Sequence, residues 1–193
     1  MGKIYCVIPA AGLSSRMGKF KPLLPIDGKP AIVYLAETMF ESGVDGCIIV
    51  TGHNGDRIQK ACDGLPNLLW ASNPDYQTTG MFESAQIGFS LLPEDCSRVL
   101  LIPADIPRVS VKTVQDLLKI DNPLVFPSFQ YKKGHPVSIA PQLRPALCAY
   151  DGPDGLRGAF RTLDVTPSYL NTADPYILMD MDTPEDYENL ISK

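Results

Sequence analysis

Between Ala10 and Lys21 the chain sets down Ala10-Ala11-Gly12 and then Ser14, Ser15, Arg16, Gly18, Lys19 and Lys21. Small residues let a ligand approach the backbone, and successive amide N–H groups in such a loop can line an anion-binding concavity. Arg16 would add a planar fork of donors and Lys21 a compact point charge, both suited to phosphate oxygens. In outline this is a triphosphate site. Two common phosphate motifs do not account for it. A P-loop has four residues between its glycine and Gly-Lys-Ser/Thr, whereas five separate Gly12 from Gly18 and Phe20 stands where the metal-binding hydroxyl belongs. The dinucleotide fingerprint G-x-G-x-x-G is missing from the same turn. The competing reading is a plain strand-to-helix turn.

Asp105 supplies a second element of chemistry. It closes the apolar run Arg98–Pro103, with Pro107 two residues on. Asp180 and Asp182 stand just before the closing helix. Mg²⁺ is a hard ion that takes a few carboxylates together with phosphate oxygens and water. One aspartate from mid-chain and one from near the end could hold it over a triphosphate. Asp105 also reads as a turn former and Asp182 as a helix-start acid favoured by the dipole. Spacing alone does not bring the two together.

The elements that must position these residues follow a regular alternation. Strands are expected at Ile4–Pro9, Gly46–Val50, Leu68–Ala71, Arg98–Pro103 and Leu124–Phe126. Helices are expected at Ala31–Ser42, with Pro30 at its first position, and at Asp56–Cys62, Met81–Leu92 and Ser110–Lys119, the last capped by Ser110. Asp27-Gly28 is a turn signal. Farther on, Gln130–Gly134 reads as a hairpin tip before Val137–Ile139, followed by helices at Gln142–Tyr150 and Arg157–Leu163. Tyr169–Leu170 and Ile177–Met179 read as extended, and Thr183-Pro184-Glu185-Asp186 as the start of a final helix. Such alternation predicts a mostly parallel sheet covered on both faces. Ligands bind such sheets at the carboxyl ends of the strands, which gathers the Ala10 loop, Asn73–Gly80 and Asp105 at one edge.

Composition narrows the class. At 193 residues, 45% hydrophobic and 20% charged, the chain suits one domain spanning residues 1–193 with a sizeable core. A net charge of −5 with no basic block argues against nucleic acid as a partner. No apolar stretch approaches the roughly 20 residues of a membrane span. The chain enters a strand of about six residues almost at once, so no signal peptide is expected, and a cytoplasmic location is expected with it. The five cysteines form no C-x-x-C pair and there are two histidines, which argues against a structural zinc site. Cys6, Cys47 and Trp70 read as core, and His53 as a rim residue.

The motifs A-A-G-L-S-S-R-M-G-x-x-K-P-L-L-P, N-P-x-x-x-x-x-G-M-x-x-S, D-x-P, G-H-P and D-x-D-T-P-E-D occur in that order from Ala10 to Asp186. Together they resemble the MobA/MocA group of nucleotidyltransferases, which attach a nucleotide to molybdopterin. The resemblance implies a three-layer α/β/α Rossmann-like fold with a mostly parallel mixed sheet. It implies that Ala10, Ala11, Gly12 and Ser14 border the nucleotide, that Arg16 and Lys21 hold the triphosphate, and that Asn73, Thr79, Gly80, Met81 and Ser84 form the part that reads the base. Asp105 and Asp182 would bind Mg²⁺, and Arg16, Lys21 and Asp105 would carry catalysis. Gly134, His135, Pro136, Gly155 and Arg157 would face the pterin. For His135 a hydrogen-bond donor to substrate fits the Gly-His-Pro turn better than a proton shuttle. Ala10-Ala11-Gly12 and the acidic pair Asp180/Asp182 resemble the cytidylyl branch, so the implied substrates are CTP and molybdopterin, with a recipient molybdoenzyme or its chaperone as a partner. Gly152-Pro-Asp-Gly-Leu-Arg157 departs from the usual G-D-x-G-A-R. Rival readings are a molybdopterin guanylyltransferase, a cytidylyltransferase for a sugar or polyol phosphate, and a non-catalytic pterin or nucleotide carrier. A nicotinamide oxidoreductase is disfavoured by the missing glycine fingerprint.

Overall fold

The computed structural model describes residues 2–192. Its sheet is built on β1 (Lys3–Ala10), which is buried from Tyr5 onward and flanked by β4 (Gly46–Thr51) and β6 (Cys96–Leu101), both parallel to it. Runs such as Cys47-Ile-Ile-Val50 are apolar on both faces because both faces are covered. Beyond β4 lies the edge strand β5 (Leu68–Ser72). On the other side β9 (Val137–Ile139) runs antiparallel between β6 and β7 (Leu124–Phe129), and β10 (Ser168–Asn171) closes that edge parallel to β7. The eight-stranded sheet includes β8 (Lys132–Lys133), which folds back on the end of β7.

Helices cover both faces. Ile32, Leu35 and Met39 of α1 (Ala31–Glu41), Ile58 of α2 (Gly55–Ala61) and Val114 and Leu117 of α4 (Val111–Leu118) pack on one face with Cys6, Ile8, Cys47 and Ile49. Phe82, Ala85 and Phe89 of α3 (Met81–Ser90), Leu147 of α5 (Arg144–Ala149) and Ala159 of α6 (Gly155–Thr162) pack on the other with Val7, Ile48 and Val50. Alternate residues of β1 therefore feed opposite cores, as the pleat requires. A smaller third cluster joins Met17, Leu24 and Ile26 to Met181, Tyr187 and Leu190 around α7 (Pro184–Ile191). It ties the opening loop to the end of the chain.

Gly88 sets how closely α3 approaches the sheet. A Cβ there would overlap the Val7 side chain and come within 3.1 Å of the Val50 Cγ2. Gly88→Val should therefore destabilise the protein by about 2 kcal/mol through overpacking, read as a fall of roughly 5 °C in melting temperature. An unchanged Tm would mean that the helix rides farther from β1 than this geometry has it.

Two local expectations from sequence are corrected. Pro30 does not open α1 from inside: it ends β3 (Lys29–Pro30), which pairs with β2 (Pro25–Ile26), and the helix begins at Ala31, whose N–H donates to the Leu24 carbonyl at 2.8 Å. Asp27 and Gly28, at φ 48° and 82°, make the left-handed turn that a two-residue hairpin needs. Ile177–Met179 is not a strand. Residues Pro175–Leu178 form a 3-10 turn, which Asp174 starts by accepting the Tyr176 N–H at 3.0 Å. β7 runs three residues past its expected end, to Phe129, and Lys132–Lys133 of the expected hairpin tip pair with it as β8; the other expected strands and helices stand within about two residues, a normal uncertainty for their ends. Ser110 caps α4 by accepting the Thr113 N–H, and Thr183 and Asp186 form a capping box on α7.

Candidate active site

β1 delivers the opening loop to the carboxyl edge of the sheet, and its pairing with the chain after β6 continues past the regular strand. The Ile102 N–H donates to the Val7 carbonyl at 3.1 Å and the Ala104 N–H to the Pro9 carbonyl at 3.0 Å. That extension sets Asp105 beside Ala10. On the other flank the Asn73 N–H donates to the Thr51 carbonyl at 2.8 Å, carrying the β4–β5 edge forward in the same way. Between them opens a cavity of about 370 Å³, bordered by Ala10, Ala11, Gly12, Ser14, Lys21, Thr79, Gly80, Met81, Ser84 and Asp105. Residues distant in sequence thus share one wall, as the strand-end rule predicts.

Lys21 organises the charge. Its side chain is 13% exposed, and its Nζ donates to Asp182 Oδ1 at 2.5 Å and to Asp105 Oδ2 at 3.3 Å. The backbone holds it there: the Lys21 N–H donates to Ser14 Oγ at 3.1 Å, and Ser14 takes φ 55° to turn the loop. Asp182 is positioned from the other end of the chain, where the Met181 N–H donates to the Asp105 carbonyl at 3.0 Å and Met181 is buried with Met17. The hydrogen bond from Lys21, with Arg16 adding its charge, holds the Asp182 carboxyl below the usual carboxylate range. Asp180 moves the other way: partial burial and the negative charges of Asp182 and Asp105 push its carboxyl up.

Three expected residues stand apart from the cavity wall. Arg16 is 70% exposed and pairs with Asp182 Oδ2 at 2.8 Å. Asp182 meets the site through Lys21. Asn73 is buried beneath the wall, where its Nδ2 donates to Thr79 Oγ1 at 2.9 Å and Ser84 Oγ at 3.0 Å, while its Oδ1 accepts the Asp75 N–H at 3.0 Å. It braces two residues that do border the cavity. Tyr76 and Gln77 also border it, unmarked in sequence except by their place in the Asn73–Gly80 loop. His53 lies between the rings of Phe20 and Tyr76, 6.1 Å from each, as a rim residue would.

A second, larger cavity of about 870 Å³ opens between β7–β9 and α6, bordered by Gly134, His135 and Arg157. Pro136 and Gly155 do not border it, and a Cβ at Gly155 would lie 3.4 Å from the Cβ of Phe82 at the start of α3. A Cβ at Gly134 would overlap the Ile177 carbonyl, and the His135 N–H donates to that same oxygen at 2.9 Å. The segment that delivers Asp182 is therefore also the floor of the Gly-His-Pro turn. His135 Nδ1 lies 3.3 Å from the Leu101 carbonyl, so Nδ1 carries the proton. Burial pushes the imidazole pKa down, and the neutral ring presents Nε2 as an acceptor. A donor role toward substrate, as read from the sequence, requires the ring to take a second proton when an anionic substrate lies beside it.

Asp105 and Asp182 converge on one ammonium, so their oxygens already serve a single centre of positive charge. Among the described residues no group of three or more His, Cys, Asp or Glu side chains is placed to hold a metal alone. That donor set fits a hard divalent ion completed by phosphate oxygens and water.

Comparison with known proteins settles the family. The sequence profile of the MobA-like NTP transferase domain matches residues 6–167. The chain belongs to the MobA-like NTP transferase family. It is 28% identical over 195 residues to the molybdenum cofactor cytidylyltransferase of Escherichia coli K12, a match that covers 97% of this chain and 95% of that protein. Among solved structures, Rv0371c of Mycobacterium tuberculosis superposes with a TM-score of 0.86 at 20% identity, over 100% of this chain and 99% of that one. A nucleotidyl transferase from Methanothermobacter gives 0.84 at 23% identity, over 98% and 96%. These likenesses establish the three-layer α/β nucleotidyltransferase fold. No helix among the described residues of this MobA-like chain is long and apolar enough to cross a membrane.

Proposed function

We propose that the protein, as a single domain over residues 1–193, transfers CMP from CTP to molybdopterin and releases pyrophosphate. The observation that carries this reading is Lys21, bridging Asp105 and Asp182 at the wall of a cavity built from the small-residue loop. CTP would lie in the 370 Å³ cavity, with its base against Thr79–Ser84 and its phosphates along the Ala11–Lys21 loop. The acceptor would reach the α-phosphorus from the side of His135 and Arg157. Near-full-length similarity to the Escherichia coli cytidylyltransferase supports the choice of base and acceptor. So do Ala10-Ala11-Gly12 and the pair Asp180/Asp182.

The acceptor's terminal phosphate attacks in line, and the pyrophosphate leaves opposite. A phosphate nucleophile is already anionic, so no residue need act as general base. What this chain supplies is position and charge: the loop amides hold the phosphates, Lys21 neutralises charge that grows on the leaving oxygen, and Arg16 meets the outer phosphates. Mg²⁺ held by Asp105 and Asp182 would supply Lewis-acid neutralisation of the same oxygens.

The test is pyrophosphate release by purified protein with Mg²⁺, molybdopterin and each of CTP, GTP, ATP and UTP in turn. Release with CTP alone is expected. Release with GTP alone would keep the transfer and overturn the base, and nucleotide binding without release would point to a carrier.

A further inference from the structure

The 370 Å³ cavity is walled mostly by small or short side chains such as Ala10, Ala11, Gly12, Ser14, Thr79 and Ser84. Tyr76 is the exception. Among the described residues it is the one aromatic side chain in that wall, and it falls at an unspecified position of N-P-x-x-x-x-x-G-M-x-x-S. Leu13, Gln77 and Met81 are also large, but they are exposed and can turn aside. A half-buried ring with two side-chain torsions cannot do so as easily.

What backs the ring comes from β4. That strand ends at Thr51, paired with Ala10 of β1, and Gly52 follows. A Cβ at Gly52 would come within 2.7 Å of the Tyr76 Cβ and Cγ and within 2.9 Å of the Ala11 carbonyl oxygen. The chain after β5 therefore reaches back across the end of β4 and lays Tyr76 on the Gly52 backbone, beside the opening loop. His53 stands against the same ring, and Phe20 meets His53 edge-on, at an interplanar angle of 85°. Arg57 of α2 in turn lies over Phe20 at 5.6 Å. A ring packed against backbone and a row of further side chains has little room to retreat when a ligand presses on it.

The opposite wall has few side-chain groups left to tell bases apart. Thr79 Oγ1 accepts from Asn73 and donates to the Asp75 carbonyl at 2.9 Å, so its proton is committed. Ser84 Oγ accepts from Asn73 as well. Exclusion by bulk can supply discrimination that such a wall does not.

We propose that Tyr76 sets the size of base this cavity accepts, admitting a single ring and excluding a fused pair, with His53 as the residue that positions it. The inference rests on the placement of CTP proposed above and gives a cause for its choice over GTP. Neither Gly52 nor His53 touches the nucleotide in this scheme; both act through Tyr76.

Equilibrium binding of CTP and of GTP, with no acceptor present, tests it. The wild type should prefer CTP. Tyr76→Ala should reduce that preference by about ten-fold, through tighter GTP as well as weaker CTP. Tyr76→Phe keeps the ring and loses only the hydroxyl that accepts from Gln77 Nε2 at 3.3 Å, so it should keep the wild-type ratio. His53→Ala should shift the ratio in the same direction by about three-fold, and His53→Phe, which restores a ring, should bring it back. A merely structural role for His53 would weaken both nucleotides alike and lower the Tm without moving the ratio. A wild type that prefers GTP would overturn the inference together with the base assignment. An unchanged ratio in Tyr76→Ala, with CTP still preferred, would overturn the inference alone. If the expected ratios hold while CTP and molybdopterin release no pyrophosphate, Tyr76 keeps its role and the assigned reaction falls.

Discussion

Replacing Lys21 by methionine should slow pyrophosphate release by about 100- to 1,000-fold, with a smaller effect on the KM for CTP. The expectation follows from where the charge sits. Its ammonium reaches Asp105 and Asp182 at once, and the side chain is held in place by burial and by Ser14. Such a group does not have to be ordered as the reaction proceeds, so its attraction for developing negative charge is delivered in full at the transition state. Arg16, 70% exposed, pays more ordering entropy and is screened by solvent, so its loss should cost less. Methionine keeps the length and apolar body of lysine. It leaves Asp105 and Asp182 without their shared partner, which should also lower the Tm slightly. Pre-steady-state release of pyrophosphate would check the claim. A Lys21→Met enzyme with wild-type kcat would remove the residue from the chemistry altogether.

Much of this arrangement was legible in the sequence because its causes are local. Strand runs such as Cys47-Ile-Ile-Val50 carry their burial in their composition, and the caps Ser110 and Thr183 announce their helices. The carboxyl-edge rule then brings Ala10, Asn73 and Asp105 to one side without any contact being known. What escaped was set by long-range packing. β2 and β3 are two residues each, too short for a periodic signal. The turn at Pro175–Leu178 depends on Asp174, which also accepts the Ser110 N–H at 2.8 Å from another element.

The site divides along the same line. That Lys21 and Asp105 meet at one cavity could be read from residue type and position. That Asn73 acts from beneath, through Thr79 and Ser84, could not, since a buried bracket and an exposed ligand contact look alike in one sequence. The tautomer of His135 is set by the Leu101 carbonyl, a strand away. Lys132 and Lys133 read as a polar hairpin tip until β7 turns them toward Phe126 and Phe160. Only Arg157 among the cations bordering the second cavity carried a motif.

Asp105→Asn should be the sharpest probe of metal use, because it removes charge while keeping shape. The Asp105 backbone would still accept the Met181 N–H, and an asparagine Oδ1 could still accept from Lys21 Nζ. The fold should therefore hold, with a Tm close to wild type. A metal centre of two carboxylates loses half its protein charge by this change. Turnover at fixed Mg²⁺ should drop by at least about 100-fold, given that a bound cation supplies several kcal/mol of charge stabilisation. The Mg²⁺ concentration for half-maximal rate should rise in the same variant. Asp182→Asn removes an equal charge but also frees Arg16, which lies 2.8 Å from Asp182. The released guanidinium can turn toward the triphosphate, so this variant should lose less rate than Asp105→Asn at saturating Mg²⁺. Should Asp105→Asn keep its half-saturating Mg²⁺ concentration while losing rate, Asp105 acts on the substrate or on Lys21 and the cation sits elsewhere. Should it keep both, the pairing of Asp105 with Lys21 is structural alone.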